Sequence, residues 1–387
     1  MKRVYLDYAA TTPMHPEVIE YMSRLHAGVF GNPSSIHACG QEARKYVEEA
    51  RTSVAKLIGA QPEEIYFTSG GTESDNWALQ GIAVANKSRG NHIITSTVEH
   101  HAIHETMHFL VQQGFSVTEV PVDKYGMVDP DAVKKAITPK TILISIMHSN
   151  NEVGTLQPID EISRIAREAA ICLHTDGVQS VGHVPVDVKH LGVDLLSSSA
   201  HKFYGPKGVG ILYIRQGIKI IPLIYGGAQE RNLRAGTENV PAIAGMGKAA
   251  EIALKEMDAE GLRLTVLRDK LIKGIMEKIE HTRLNGHPAR RLPNNVNFSL
   301  EFVEGEAICL HLDMTGICVA TGSACSSESM EASHVLLAMG LPPETARASL
   351  RLTSGKWTTE ADIDYVLDVL PKVVNRLRSI SPLARKK

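Results

Sequence analysis

The sequence predicts an α/β fold: a large domain of parallel strands and crossover helices, followed by a smaller α+β unit at the C-terminal end. Three observations lead there. From Glu64 to Tyr213, short β-branched runs alternate with helical periodicity, the pattern of parallel strands joined by helices. A long helical pattern begins at Pro241 and continues towards Glu280. Beyond it lie more strand-like runs and a closing helix, in a chain of 387 residues that exceeds what one hydrophobic core usually serves.

Taken in order, Ala43, Val47, Ala50, Val54 and Leu57 recur at steps of three and four, which predicts an amphipathic helix ended by Gly59. The runs EIYFTS, NHIITST, TILISIM, ICLHTD and VGILYI read as strands buried on at least one face. The long helix after Pro241 is the expected hinge between the two units. After it, VNFSL, ICVAT and SLRLTS read as strands, and a helix is expected from about Thr359 to Leu377. No internal repeat, low-complexity tract or Ser/Gly linker interrupts this order.

Hydrophobic residues make up 43% and charged residues 22%, which is ordinary for a globular protein. The net charge of -2 argues against a nucleic-acid surface or a polybasic membrane anchor. MKRVYLDYAATT carries no apolar signal-peptide core, and no run approaches the roughly 18 apolar residues of a membrane span. A cytoplasmic protein is expected, with neither nucleic acid nor membrane as partner. The five cysteines are an odd number without a CxxC pair, which argues against a disulfide framework or a zinc site. Cys39, Cys172, Cys309 and Cys318 sit in apolar or helical settings and are expected to act as small core residues.

Three segments carry chemistry. In TSGGTESDNWAL a glycine pair follows a strand and Thr72 opens a helix, with Glu73 and Asp75 in its first turn. Free helix N–H groups and a hydroxyl make an anion cradle; the plainer reading is a capped turn. In HTDGVQS, Asp176 follows a strand, where a carboxylate can keep a pyridine nitrogen protonated or merely cap a turn. In SSSAHKFYGPKGVG, Lys202 lies between an apolar strand and a glycine-rich turn, flanked by Ser199, His201 and Gly205. Such a lysine is either a Schiff-base residue or an exposed turn residue. A fourth segment, TGSACSSESMEASH, places Cys325 in a Ser/Gly-rich stretch that reads as a loop bearing a reactive thiol.

The phosphate turn, the aspartate and the lysine, in this chain order, resemble the class V aminotransferase superfamily of fold-type-I pyridoxal-phosphate (PLP) enzymes. Within it the chain is similar to the cysteine desulfurases of the NifS and IscS group. YLDYAATTP, GNPSS, TSGGTESDN, EHHA, NNEVGTLQPI, HTDGVQ, SAHKFYGPKGVG, RAGTEN, TGSACSS and SLRLTSG all match family motifs, over nearly the whole chain. The resemblance implies a mainly parallel seven-stranded sheet in a large domain at 16–257. It places the small domain at 1–15 and 258–387.

The resemblance also implies roles. Lys202 takes PLP as a Schiff base, Asp176 pairs with the pyridine nitrogen, and Gln179 and Asn151 reach the ring hydroxyl. His100 stacks on the ring and carries protons. Gly71, Thr72, Ser199, Ala200 and His201 belong to the cofactor site, and Thr237 reaches across from the second subunit of a homodimer. Arg351 clamps the substrate carboxylate as a bidentate fork, with Asn151 sharing that duty.

The implied activity converts L-cysteine to L-alanine, with Cys325 holding the sulfur as a persulfide. The sulfur then passes to an acceptor such as an iron-sulfur cluster scaffold, and a transient cluster on Cys325 is a further implied state. The length of the Cys325 segment favours the NifS and IscS branch over the SufS branch. Ala332 stands where the family commonly has proline, and the chain ends at SPLARKK without the longer tail of housekeeping members. An aminotransferase or a selenocysteine lyase of the same superfamily, or a binding protein that has lost its chemistry, are the alternatives at this point. Cys325 separates the desulfurase from the aminotransferase, which needs no loop thiol.

Overall fold

The computed structural model describes residues 3–322 and 332–382. A seven-stranded sheet lies at the centre, formed by β2 (Ile65–Thr68), β3 (His92–Ser96), β4 (Ser116–Val120), β5 (Thr141–Ser145), β6 (Cys172–Asp176), β7 (Leu195–Ser199) and β8 (Gly210–Ile214). Its spatial order is β2-β8-β7-β6-β5-β3-β4. Only β8 runs against its neighbours, so the carboxyl ends of the other six strands share one edge. All five strands expected between Glu64 and Tyr213 are present, slightly shortened. Two more, β4 and β7, escaped the sequence reading because SVTEV is polar at the sheet edge and LLSSS is rich in serine.

Helices cover both faces: α1 (Pro16–Gly28), α2 (Ala38–Leu57), α3 (Gly71–Ala85), α4 (His101–Gln112), α5 (Pro130–Ala136), α6 (Ile159–Glu168) and α7 (Val188–Leu191). The irregular turn α8 (Gln229–Asn232) follows. In α2 the expected stripe is buried, the His37 side chain caps the first turn, and Gly59 leaves the helix at φ +70°. That conformation favours glycine, as the sequence predicted.

The helix α9 (Val240–Lys278) runs 39 residues, capped by Asn239 with Pro241 in its first turn. Its residues up to Ala253 pack into the core of the large sheet, whereas Leu264, Leu267, Leu271 and Ile275 join a second core. That core is built on β9 (Thr282–Leu284), β10 (Asn295–Leu300) and β12 (Ser349–Thr353), in the order β12-β10-β9. The pair β1 (Val4–Tyr5) and β11 (Ile317–Cys318) lies beside it. Helices α10 (Gly305–Asp313), α11 (His334–Ala338), α12 (Pro343–Arg347) and α13 (Glu360–Ile380) complete this part. The ICVAT run forms only the two-residue β11, and the terminal helix starts on a Thr359–Asp362 capping box.

Among the described residues no helix is long and apolar enough to cross a membrane. The cysteine reading needs one correction. Cys39 is exposed near the start of α2, where the buried stripe begins one residue later at Gly40, so it is no core residue.

Candidate active site

The residues singled out by chemistry follow the carboxyl ends of β2, β3, β5, β6 and β7, where a doubly wound sheet opens a crevice. Lys202 ends the 3-10 turn that leaves β7 through Ala200 and His201. Its Nζ donates to the carbonyls of Ala9 and Ala10, at 2.6 and 2.9 Å. The N-terminal segment therefore lies against the lysine. Thr12 fixes the backbone on either side: its Oγ1 donates to the His201 carbonyl at 2.9 Å and accepts from Tyr204 N at 2.9 Å. His183 Nε2 donates to the Lys202 carbonyl at 2.8 Å.

Asp176 is the last residue of β6, and its Oδ1 accepts from Val178 N at 2.8 Å. Burial pushes its carboxyl up to about 6, against the pull of the Val178 N–H and the Lys202 charge. Asp75, on α3, is raised well above the usual carboxylate range by burial and then by the charge of Asp176. Two neighbouring buried carboxyls do not both ionise, so Asp75 keeps its proton and Asp176 bears the charge. Beside them His174 is held neutral, pushed down to about 3 by burial, between Ser145 Oγ at 2.9 Å and Ser197 Oγ at 3.0 Å. Asp75 Oδ1 has no hydrogen-bond partner among the described residues.

Gly71, Thr72, Ser199 and His201 line one cavity of about 440 Å³, together with Lys207. The first-turn N–H groups of α3 have no intrahelical acceptor and favour an anion. Gly71 is required by packing, since a Cβ there would lie 2.7 Å from Val178 Cγ2. A buried aspartate, a lysine close enough to perturb it, and a helix N-terminus with hydroxyls and a cation fit the three polar ends of PLP. Gln179 Nε2 donates to the Ala9 carbonyl at 2.9 Å, sharing it with Lys202.

His100 caps α4, with its Nδ1 accepting from Ala102 N at 3.1 Å. That bond places the ring proton on Nε2. Burial and the Lys202 charge push its pKa down to about 4, so the ring is neutral at pH 7. Behind it the Glu99 carboxyl takes two bonds from Met147 N and one from Ser96 Oγ, and burial raises it to about 8. His334 Nε2 donates to the Glu99 carbonyl at 2.9 Å, and its ring sits 5.0 Å from His101 and 4.9 Å from His104. The EHHA run pointed to this place, but nothing in sequence spacing linked it to His334.

Arg351, on β12, is buried. It donates from Nη2 to Asp7 Oδ1 at 2.9 Å and from Nη1 to the Asn151 carbonyl at 3.1 Å. Its Nε has no partner among the described residues, a donor suited to one carboxylate oxygen. The structure thus brings Asn151 and Arg351 together, and adds Asp7 as an arginine partner that the sequence did not reveal. Thr237 is exposed and lines, with Arg234 and Glu238, a cavity that shares Ser69 and Gly208 with the cradle. Cys325 lies outside the described residues. Among the described residues no cluster of histidine, cysteine and carboxylate side chains could hold a metal ion.

Comparison with known proteins comes to the same place. A family model described as aminotransferase class-V matches residues 4–366. A cysteine desulfurase IscS of Dictyoglomus turgidum is 60% identical over 383 residues, which span 99% of this chain and 97% of that one. A solved NifS-like protein superposes with a TM-score of 0.92 at 41% identity, covering 97% of this chain and 100% of that one. The structure of SspA in complex with cysteine matches with a TM-score of 0.82 at 36% identity, over 92% of this chain and 100% of that one.

Proposed function

Because the chain belongs to the class-V aminotransferase family and is a cysteine desulfurase, we propose that Lys202, Asp176 and His100 act on L-cysteine while Cys325 takes its sulfur. One observation carries the reading: Lys202, Asp176 and the α3 anion cradle converge at the carboxyl ends of β7, β6 and β2.

PLP, when bound, supplies an electron sink that drains charge from the substrate's α-carbon. Gly71, Thr72, Ser199 and His201 would hold its phosphate, together with Thr237 of a second copy and the Ala200 backbone. Asp176 would hold the ring nitrogen, His100 would stack on the ring, and Gln179 and Asn151 would bind the ring hydroxyl. Lys202 would hold the cofactor covalently, and its amine, once released, would take the substrate's α-proton as a base. The neutral ring of His100 does not repel a protonated heterocycle, and its proton is available at Nε2. Arg351 binds the substrate carboxylate, oriented by Asp7 and by the Asn151 carbonyl.

Cys325 is assigned from its motif. Its thiolate attacks the substrate sulfur; an S–S bond forms as the Cβ–S bond breaks, and the electron pair stays on carbon. Protonation at Cβ and return of the α-proton from Lys202 complete alanine, and the enzyme is left with a persulfide. We place the reaction in the cytoplasm, where free thiols persist, in a homodimer, with transfer to an acceptor protein such as an iron-sulfur scaffold. The two cores joined by α9 support large and small domains at 16–257 and at 1–15 with 258–387.

The test is Cys325→Ala. The variant keeps the yellow cofactor and loses sulfide release with L-cysteine and dithiothreitol. Sulfide production at the level of the unsubstituted enzyme overturns the assignment.

A further inference from the structure

Glu152 is a buried carboxyl that the reaction above does not use. Its backbone is held on three sides. The amide donates to Asn150 Oδ1 at 2.9 Å, and the carbonyl accepts from Asn295 Nδ2 at 3.2 Å and Asn297 Nδ2 at 3.1 Å. It is thereby tied to β10 of the small sheet, one residue after Asn151, whose own carbonyl meets Arg351. A side chain on so fixed a backbone is a rigid post.

Two chain ends meet at that post. Ser333 Oγ donates to Glu152 Oε2 at 2.5 Å and also caps α11, accepting from Leu336 N. On the other side stands Gly322, where an added Cβ would come within 2.4 Å of the same Oε2 and 3.6 Å of Ser333 Cβ. A side chain at position 322 would have to displace the carboxyl from its place beside Ser333. Gly322 and Ala332, the residue before Ser333, are the described residues that flank the stretch containing Cys325. The residue after Ser333, His334, bonds the Glu99 carbonyl, beside His100. The two ends are thus registered against the neighbours of the two residues proposed to handle substrate.

We infer that Glu152 is a positioning residue for sulfur transfer: its carboxyl clasps Ser333 and seats Gly322, and so sets where the chain that bears Cys325 leaves and rejoins the active site. This rests on the assignment of Cys325 as sulfur acceptor. Burial raises the Glu152 carboxyl to about 7, with Arg351 as the charge that opposes the rise. The oxygen contacted by Ser333 remains an acceptor whether or not the group is ionised.

The experiment uses the cofactor-loaded enzyme with L-cysteine in a single turnover. Cofactor absorbance, its change on adding cysteine, and persulfide on Cys325 by mass spectrometry are followed together. Glu152→Ala is expected to leave both absorbance readouts unchanged and to slow persulfide formation roughly ten- to hundredfold, the range for a reacting group displaced by about 1 Å. Glu152→Gln keeps the acceptor for Ser333 and should restore most of the rate. Ser333→Ala, which removes the clasp from the other side, should slow the same step alone. Persulfide formed at the unsubstituted rate by Glu152→Ala overturns the proposal. If Glu152→Ala fails to load cofactor, Ser333→Ala decides: a slowed persulfide step upholds it and an unchanged one overturns it. Persulfide on another cysteine in the unsubstituted enzyme overturns the Cys325 assignment itself, and is seen before any variant is made.

Discussion

Lys202 could not be told from an exposed turn lysine by its neighbours in sequence, whereas its place in the fold leaves little freedom. Its amine is aimed by two carbonyls of the N-terminal segment, and its backbone is pinned by Thr12 and His183. The same scale governs the pH response. His174 is neutral in the folded chain, with its pKa pushed from 6.5 to about 3 by burial. The unfolded chain therefore binds a proton below pH 6.5 that the folded chain refuses. The stability this group contributes is complete above 6.5 and is lost as pH falls towards 3. Glu99, raised to about 8, acts in the opposite sense: its contribution is complete below about 4.5 and is lost as pH rises towards 8. His174→Gln removes one proton from the first balance. The unfolding free energy from urea titrations between pH 6 and 4 should fall less steeply in the variant, by up to about 1.4 kcal/mol per pH unit. Identical slopes would show that His174 is not neutral in the fold.

Among the elements, α9 does two jobs with one periodicity. Small residues in its first half let α2 approach, and leucines in its second half anchor the small sheet. Gly247 marks the closest approach: a Cβ there would lie 2.5 Å from Ala50 Cα. Glycine to alanine normally stabilises a helix interior by roughly 0.5–1 kcal/mol, but a clash with backbone cannot be relieved by a rotamer. Gly247→Ala should lower stability by about 1–3 kcal/mol. Gly261→Ala, where the nearest atom is the His183 carbonyl oxygen at 3.9 Å, should raise it. Thermal unfolding of the pair checks the sign. A stabilised Gly247→Ala would mean that α2 and α9 do not pack this closely.

At the scale of the whole molecule the cradle at α3 is incomplete in one respect. Thr237 belongs to the motif set and is exposed, and the proposed homodimer would supply it across the interface. A hydrogen bond to a charged phosphate contributes about 1.5–3 kcal/mol. Thr237→Val should therefore weaken PLP retention roughly ten- to hundredfold, while sedimentation still shows a dimer. Unchanged retention would remove Thr237 from the cofactor site.

Hydrophobic periodicity alone determined the α/β class, the five strands of the large sheet that were expected, the long helix and the terminal one. Motif order selected Thr72, Asp176 and Lys202, because strand ends that carry chemistry keep their chain order whatever the packing, and the SLRLTSG match pointed to Arg351. The serine-rich β7 was not legible, since nothing local marks its hydroxyls as buried: Ser197 bonds His174 from another strand, and Ser198 Oγ is buried without a partner among the described residues. The protonated Asp75 beside Asp176, the Asp7–Arg351 pair and the meeting of Gly322 and Ser333 at Glu152 were decided by tertiary structure alone. Each is an electrostatic or steric relation between residues 11 to 344 positions apart. Such relations come into being when desolvation and packing bring the groups together, and no local period encodes them.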